Sequence, residues 1–293
     1  MTKLKINFVD FWGHFPAENS FLPILKKYFD VEINVTNPDV IIHTINGPNT
    51  AKYSCKKILF LGENYRASNY DSDYTISFDP HTPTNFRLPL WQYYLLLNSE
   101  IKNDLFNRIH HKSFERFCSF IVSNPKNFTR NASFDSLNTY KRIHSYGTVR
   151  NNDNSLNLLS KPGIYEDIPI LSGGFWKVEK NKFLRNHSHK FALTYENAAH
   201  PYYITEKIMD GFLGGSLPIY WGSSKIEEDF NEKSFINMTK SSSQLNNRIK
   251  KIDSDQSLFN SYYEEPIFTD VQKQKLLENL KYFEEWLINA INK

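Results

Sequence analysis

The stretch with the most chemically active side chains runs from residue 195 to 222 and reads YENAAHPYYITEKIMDGFLGGSLPIYWG. It opens on the end of an apolar run, KFALTYEN, which is typical of a buried strand followed by polar residues. Glu196 and Asn197 would then lie at the carboxyl end of that strand. In open α/β sheets ligands bind at this edge, so we expect both side chains to lie at a ligand site.

A helix is predicted after this strand, with Thr205 as its N-cap and Gly214 and Gly215 at its end. Glu206 in the first turn suits the positive end of the helix dipole, whereas Lys207 does not. A phosphate bound by the free N–H groups and by the lysine would remove this conflict. The alternative is a lysine that extends into solvent at a cost of only ~0.3–1 kcal/mol, and spacing alone favours that alternative.

The elements that would position these residues form two α/β series. Residues 40–42 and 58–61 are short, branched apolar runs bounded by turn residues, as buried parallel strands are. A second series begins at residue 117 with FCSFIVSN and includes KFALTYEN and SLPIYWG. A helix is expected in SFDSLNTYKRI, at 133–143. Strands that alternate with helices indicate parallel sheets, so the pattern predicts an α/β fold with two layers.

The C-terminal residues 271–293 are predicted to form an amphipathic helix. Their apolar side chains recur at three- and four-residue spacing. They are Leu276, Leu280, Phe283, Leu287 and Ile291. The opposite face carries both signs of charge, which favours packing on the protein over binding to a membrane surface.

Length and composition favour a globular protein with two domains. The chain has 293 residues, 40% of them hydrophobic, which is long for one core and too apolar for a disordered chain. Its 35 basic and 32 acidic residues argue against a nucleic-acid surface. Cys55 and Cys118 lack the spacing of metal or redox pairs. With no run of ~18 apolar residues and no signal peptide, we expect a cytoplasmic protein, with peripheral attachment at the inner membrane face as a variant of that expectation.

The strings YEN at 195–197, YITEK at 203–207 and PIYWG at 218–222 resemble the donor-binding signature of the α1,3-fucosyltransferases, glycosyltransferase family ten, and of its bacterial members in particular. FLGEN at 60–64 and GTVRNN at 147–152 extend the resemblance along the chain. At 198–201 the residues AAHP depart from the glycine-containing pattern of close bacterial relatives.

This resemblance implies a GT-B fold, in which two Rossmann-like domains face each other across a cleft. Residues 1–113 would form the acceptor-binding α/β domain and residues 114–270 the GDP-fucose-binding Rossmann-like domain. Residues 271–293 would form a C-terminal helix that packs back on the protein.

The resemblance also implies an inverting α1,3-fucosyltransferase that needs no metal cofactor, with a divalent ion at most stimulatory. Fucose would pass from GDP-fucose to a hydroxyl of GlcNAc or Glc in an oligosaccharide of the N-acetyllactosamine type, which contains galactose. Glu63 matches the proposed general base of the GEN motif, and Arg150 and Lys207 match the cations that bind the diphosphate.

Further donor contacts follow from the same resemblance. Tyr203 matches a tyrosine that donates to the phosphates, Asn197 a donor-site amide, and Glu206 a carboxylate on the fucose or ribose. Glu196 and Tyr202 are additional candidates for the donor site. Without the resemblance, tyrosines just before a helix are more often core residues than ligand contacts.

Three other functions are compatible with parts of the sequence. The Asp-x-Asp strings at 71–73 and 253–255 are of a kind found in metal-dependent transferases, but such short motifs arise easily by chance. The histidines at 110, 111, 187 and 189 lack a third ligand at suitable spacing, so we expect them to be solvated. An inverting enzyme with another nucleotide sugar and a non-catalytic sugar-nucleotide-binding protein both stay open. A nucleoside-triphosphate enzyme is disfavoured because no Gly-x-x-x-x-Gly-Lys-Ser/Thr string is present.

Overall fold

A computed structural model of the chain describes residues 1–11, 17–97, 99–156 and 174–293. The strands are β1 (Thr2–Val9), β2 (Phe29–Ile33), β3 (Val40–His43), β4 (Lys56–Leu61), β5 (Tyr74–Ser77), β6 (Asn85–Arg87), β7 (Arg116–Phe120), β8 (Ile143–Ser145), β9 (His189–Leu193), β10 (Leu217–Tyr220) and β11 (Ile236–Asn237). The helices are α1 (Ala17–Leu25), α2 (Leu90–Leu97), α3 (Ser99–Phe106), α4 (Phe128–Asn138), α5 (Gly174–Asn186), α6 (Glu206–Leu213), α7 (Leu245–Ser254), α8 (Gln256–Tyr263) and α9 (Asp270–Asn292).

The described strands form two parallel sheets. The first has the order β2-β1-β3-β4-β5-β6 and the second β11-β10-β9-β7-β8. All of the strand pairs within the described residues are parallel, so the carboxyl ends of neighbouring strands share one edge. The buried runs at 40–42 and 58–61 are β3 and β4, as predicted. The predicted α/β fold with two layers is confirmed.

The predicted bounds of the helix at 133–143 are wrong at both ends. It is α4, and it begins at Phe128 because the Asn127 side chain accepts a hydrogen bond from the Arg130 N–H at 2.7 Å. It ends at Asn138, whose side chain accepts from the Ile143 N–H at 2.8 Å as the chain enters β8. Arg130 therefore lies in the first turn of a helix.

Helix α9 returns from the second sheet and packs on the core of the first. Phe283 and Leu287 are fully buried. The Phe283 ring lies 5.1 Å from that of Phe86 on β6 and 6.4 Å from that of Phe21 on α1. The prediction that the C-terminal helix packs on the protein is confirmed. In the part of the chain that is described, no helix is both long enough and apolar enough to cross a membrane.

Helix α6 belongs to the second sheet but contacts α2 and α3 of the first domain. Its apolar side chains Ile208, Met209 and Phe212 are buried in the same core as the first sheet. The Lys207 end of α6 is thereby held against the carboxyl edge of the first sheet. This arrangement brings the two sequence motifs, GEN and YITEK, together.

Candidate functional site between the two sheets

Glu63 lies just beyond the carboxyl end of β4, one residue after Gly62. Its side chain is exposed, and its Oε2 accepts a hydrogen bond from the Tyr203 hydroxyl at 3.0 Å. Tyr203 is the first residue of the YITEK string, which leads from β9 of the second sheet into α6. A carboxylate from the first sheet is thus hydrogen-bonded to a residue that precedes α6.

One aromatic and one cationic side chain pack against the Tyr203–Glu63 contact. The Phe78 ring, just beyond β5, meets the Tyr203 ring edge to face at 5.2 Å. The Arg66 guanidinium lies 4.9 Å above Phe78 and donates to the Asn64 side chain. Because Asn64 follows Glu63 directly, the GEN motif and the tyrosine share one support.

The loop at 198–203 has a defined shape. The Tyr203 N–H donates to the His200 carbonyl at 3.2 Å, and Tyr202 has a φ of 66°, in the left-handed region. The Tyr202 N–H donates to the Ser223 hydroxyl at 2.8 Å, just after PIYWG. The AAHP sequence therefore still turns the chain so that Tyr203 lies on Glu63.

Tyr203 is held in its protonated form. Its side chain is almost fully buried, and burial, followed by the Glu196 and Glu63 charges, raises the pKa of the phenol well above its usual range. A phenol that keeps its proton can only donate to the carboxylate. This bond orients Glu63 and leaves Oε1 of the same carboxylate for another partner.

Glu196 is completely buried and organises the start of α6. Its Oε1 accepts from the Thr205 N–H at 2.7 Å and its Oε2 accepts from the Thr205 hydroxyl at 2.6 Å. Thr205 is the N-cap residue, as predicted, but its hydroxyl makes no capping hydrogen bond. The buried carboxylate supplies the negative charge at the helix N-terminus instead.

The Lys207 side chain is largely buried and lies beside two acidic residues, in contrast to the alternative of a solvent-exposed lysine. Its side chain is 17% exposed, and Nζ lies 3.3 Å from Glu196 Oε2, 3.9 Å from Glu206 Oε1 and 2.9 Å from the Thr205 hydroxyl. Burial alone would lower the pKa of the ammonium, but the Glu206, Glu196 and Glu63 charges outweigh it and raise that pKa. Lys207 therefore stays charged.

The glycine that ends PIYWG is required by this packing. A Cβ at Gly222 would lie 2.6 Å from Glu196 Cγ and 2.6 Å from the Tyr220 hydroxyl. The Glu196 N–H also donates to the Trp221 carbonyl at 2.8 Å. The two motifs thus depend on each other: the glycine leaves room for the carboxylate that supports Lys207.

Asn197 is oriented by Arg130, a residue that the sequence analysis missed. Arg130 is fully buried, and its Nη1 donates to Asn197 Oδ1 at 2.7 Å. The Asn127 side chain donates to the Asn197 carbonyl at 2.6 Å. The signal that could have found it is a cation in the first turn of a helix, the feature that pointed to Lys207, but the predicted helix began only at residue 133.

Arg150 lies apart from the contacts around Glu63. It follows β8, and its guanidinium makes a bidentate ion pair with Asp135 on α4 at 2.8 and 2.7 Å. Both side chains are about half exposed. The turn before it is tight, because a Cβ on Gly147 would lie 2.2 Å from the Val122 carbonyl oxygen.

Tyr202 contacts a different part of the first domain from its neighbour Tyr203. Its ring lies 5.3 Å from the guanidinium of Arg87, at the end of β6. Arg87 in turn makes a bidentate ion pair with Asp229, so the Tyr202 ring borders the junction of the two domains. Of the sequence-predicted residues, Glu63, Glu196, Tyr203, Glu206 and Lys207 are brought together.

The acidic strings are engaged in ion pairs. Asp71 pairs with Lys57, and Asp253 binds Lys141 and Lys190. Among the described residues, no group of three or more His, Cys, Asp or Glu side chains could hold a metal ion. The expectation of a solvated histidine is wrong at His189, which is fully buried at the start of β9.

Comparisons with known proteins agree on one family. Residues 6–94 match the model of the alpha-(1,3)-fucosyltransferase FucT N-terminal domain. Residues 111–281, more than half of the chain, match that of the glycosyltransferase family 10 (fucosyltransferase) C-terminal region.

The proteins similar to the chain include two curated relatives from different organisms and a solved structure. An alpha-(1,3)-fucosyltransferase, FucT, of Helicobacter pylori is 32% identical over 57% of this chain and 31% of its own length. A human GDP-fucose protein O-fucosyltransferase 3 is 28% identical over 56% of this chain and 32% of its own length. The chain therefore spans about a third of the length of each of these two relatives.

The solved structure is an alpha1,3-fucosyltransferase with GDP-fucose. It is 25% identical, with a TM-score of 0.67, and the match covers 97% of this chain and 91% of that one. The expected GT-B fold is thereby confirmed. Because both family models match, the chain belongs to glycosyltransferase family 10, the fucosyltransferases.

Proposed function

We propose that the protein is an inverting α1,3-fucosyltransferase that moves fucose from GDP-fucose to a sugar hydroxyl. The hydrogen bond of 3.0 Å between Tyr203 and Glu63 carries this proposal. It joins a candidate base on the first sheet to the donor motif of the second. Inverting transfer needs such a pair of surfaces, one for each substrate.

Glu63 is the proposed general base. Its exposed carboxylate can accept the proton of an acceptor hydroxyl, which then attacks the anomeric carbon from the face opposite GDP. Tyr203 holds Oε2, so Oε1 is the atom proposed to take the proton. No covalent intermediate is needed.

Lys207 and Arg150 are the proposed partners of the departing diphosphate. Two Lys207 contacts lie within 3.3 Å, whereas the Glu206 oxygen at 3.9 Å is beyond hydrogen-bond range, which leaves one ammonium donor for a phosphate oxygen. Arg150 would exchange its exposed Asp135 partner for phosphate. Both side chains are open to solvent, which screens their attraction, so the exchange costs little.

Asn197 and Glu206 are the remaining proposed donor contacts. Because Arg130 occupies Asn197 Oδ1, the amide offers its N–H groups to an acceptor atom of the nucleotide sugar. Glu206 is the proposed carboxylate on the fucose or ribose. For Glu196, the hydrogen bonds to Thr205 favour structural support over donor contact.

The acceptor proposal follows the printed names of the relatives. An α-(1,3) linkage, as in the H. pylori relative, ends on oxygen 3 of a sugar, and we propose GlcNAc or Glc within an N-acetyllactosamine-type glycan. The human relative is named for transfer to protein, which makes a serine or threonine hydroxyl the second candidate. A cytoplasmic location stays a prediction.

The test is incubation with GDP-fucose and each of GlcNAc, lactose, N-acetyllactosamine, a type-1 chain and a folded protein acceptor. We expect transfer to oxygen 3 of GlcNAc or Glc, with the anomeric configuration inverted, as read by NMR of the product. Preferential use of GDP-mannose or a UDP-sugar would support another donor. Binding of GDP without transfer to any acceptor would support a non-catalytic protein.

We also propose that transfer requires no metal ion, because two cations are assigned to the diphosphate. Activity measured in excess EDTA should stay within about twofold of the activity without chelator, since a neutralised leaving group needs no further charge. A complete loss that Mg²⁺ or Mn²⁺ restores would contradict this assignment.

A further inference from the structure

A cavity of about 680 Å³ lies where the two domains and α9 meet. Its walls include His81 from the β5–β6 loop, Arg87 from β6, Tyr202, and Lys275 and Asn279 from α9. The residues assigned above to transfer chemistry, Glu63, Tyr203 and Lys207, are not among its lining residues. The cavity is therefore distinct from the site around the base.

The cavity opens on the same sheet edge as Glu63. Parallel strands β4, β5 and β6 are consecutive neighbours, and Arg87 ends β6 as Glu63 follows β4. At about 4.8 Å between strands, the two strand ends are roughly 10 Å apart. Tyr202 and Tyr203 bridge this span, since one lines the cavity and the other contacts Glu63.

The cavity is lined by two basic side chains, Arg87 and Lys275, and by three acidic ones, Glu227, Glu228 and Asp229. Lys225, just outside the lining, balances the third acid. Arg87 is neutralised by Asp229 at 2.7 Å, and Glu228 pairs with Lys225 at 3.0 Å. Burial lowers the pKa of His81, so the ring is neutral near pH 7. Balanced charge favours a neutral ligand over a nucleotide or another phosphate.

The polar groups of the cavity are already fixed in orientation. His81 Nδ1 accepts from the Arg87 N–H at 3.1 Å, so its Nε2–H donates to Asn279 Oδ1 at 2.9 Å. The Asn279 amide donates to the Arg87 carbonyl and to Gln92 Oε1 at 3.0 and 2.8 Å. The Tyr202 ring lines the same cavity, and the Arg87 guanidinium lies 5.3 Å from its centroid. A ring face beside oriented polar groups suits a ligand that is apolar on one face and hydroxylated at its rim.

We propose that this cavity binds the sugars of a neutral oligosaccharide acceptor that lie beyond the residue receiving fucose. The inference rests on the proposed transfer to a glycan. Binding is non-covalent, and it makes transfer depend on acceptor length. The base at Glu63 acts on one sugar while Tyr202 and the α9 side chains hold its neighbours.

The kinetic test uses Val271→Trp, which fills the cavity from the exposed first turn of α9. Val35→Trp is the matched control, because Val271 and Val35 are 63% and 66% exposed and Val35 lies outside the lining. Acceptors are the disaccharide, tetrasaccharide and hexasaccharide of repeating N-acetyllactosamine. In the wild type and in Val35→Trp we expect kcat/KM to rise about five- to tenfold from disaccharide to hexasaccharide.

In Val271→Trp we expect the rise to vanish while the disaccharide value is unchanged. A wild type without length dependence, or an equal rise in Val271→Trp, would overturn the inference.

A second readout separates this inference from the proposed function. The hexasaccharide alone is titrated into each protein by calorimetry, without donor. We expect binding by the wild type and by Val35→Trp, and at least about fivefold weaker binding by Val271→Trp. If no glycan is fucosylated but this pattern holds, the proposed function fails and the cavity assignment stands. Equal binding by both tryptophan variants, or no binding by any, would overturn the cavity assignment.

Discussion

At the scale of single residues, the site depends on amide and hydroxyl groups whose orientation is imposed by buried charges. Arg130 fixes Asn197 by taking its Oδ1 at 2.7 Å. Burial lowers the pKa of the Arg130 guanidinium, whereas the Glu196 charge opposes that shift. The negative charge of Glu196 thus acts on two positive charges, those of Arg130 and Lys207.

Replacing Arg130 by Met should weaken donor binding. Without the guanidinium, the Asn197 amide can rotate and present its oxygen instead of its N–H groups. We expect the KM for GDP-fucose to rise about 5- to 30-fold, as for the loss of one charge-assisted hydrogen bond, with a smaller change in kcat. Steady-state kinetics measure this effect, with exposed Lys126→Met as the control. An unchanged KM would show that Arg130 does not position the amide.

At the scale of elements, long apolar runs were predictable and short elements were not. Strands β4 and β9 follow from their sequences, because buried parallel strands need continuous apolar residues. Strands β6, β8 and β11 have only two or three residues, too few to show a period. Arg130 was missed for a related reason: the helix start was placed after it, so it did not count as a first-turn cation.

The contacts between the sheets could not be predicted from periodicity. That Tyr203 lies on Glu63 depends on α6 packing against α2 and α3, which joins residues 140 positions apart. The Arg150–Asp135 pair is likewise a contact between a loop and a helix of the second domain. Resemblance supplied the candidate residues, and only the packing shows which of them meet.

Strand β9 begins with a buried histidine that predicts acid sensitivity. The Tyr146 hydroxyl accepts a hydrogen bond from Arg116 and lies 2.9 Å from His189 Nε2. The hydroxyl therefore donates its proton to Nε2, and the imidazole that accepts it is neutral. Burial, helped by the nearby His144 and Arg116, lowers the pKa of His189 to about 3. The unfolded chain, with a pKa near 6.5, binds the extra proton first.

The free energy of unfolding should therefore be at its full value above pH 6.5. The contribution of His189 to this free energy should fall by about 1.4 kcal/mol per pH unit as the pH drops from 6.5 toward 3. Urea unfolding at several pH values measures the slope. His189→Gln should lose this part of the slope, whereas His187→Gln, at a partly exposed position, should keep it. Equal slopes in both variants would contradict the assignment.

At the scale of the whole molecule, one buried ion pair ties the domains together beside the site. Asp229, in the second domain, accepts from Arg87 at 3.0 and 2.7 Å and from the Trp91 indole at 3.2 Å. The side chains of Arg87 and Asp229 are only 15% and 6% exposed. Removing one partner would leave the other charge buried without compensation.

Asp229→Asn should therefore destabilise the protein by about 3 kcal/mol, because the Arg87 charge loses its buried partner. The neighbouring Glu228→Gln is the matched control and should change stability by no more than ~0.5 kcal/mol, since that carboxylate is 48% exposed. The urea midpoints of the two variants give the comparison. Similar midpoints would mean that the pair does not hold the domains together.

In the proposed mechanism, the fold brings a base on the first sheet, Glu63, to a donor site on the second, and Glu63→Gln tests this proposal most directly. The amide keeps the shape and a hydrogen bond to Tyr203 but cannot take a proton. Exposed Glu115→Gln serves as the control. The transfer rate from GDP-fucose and the Kd for GDP are measured on the same preparation. We predict a rate loss of about 10²- to 10⁴-fold with the GDP Kd within a few-fold of wild type. Full transfer activity in Glu63→Gln would contradict the account.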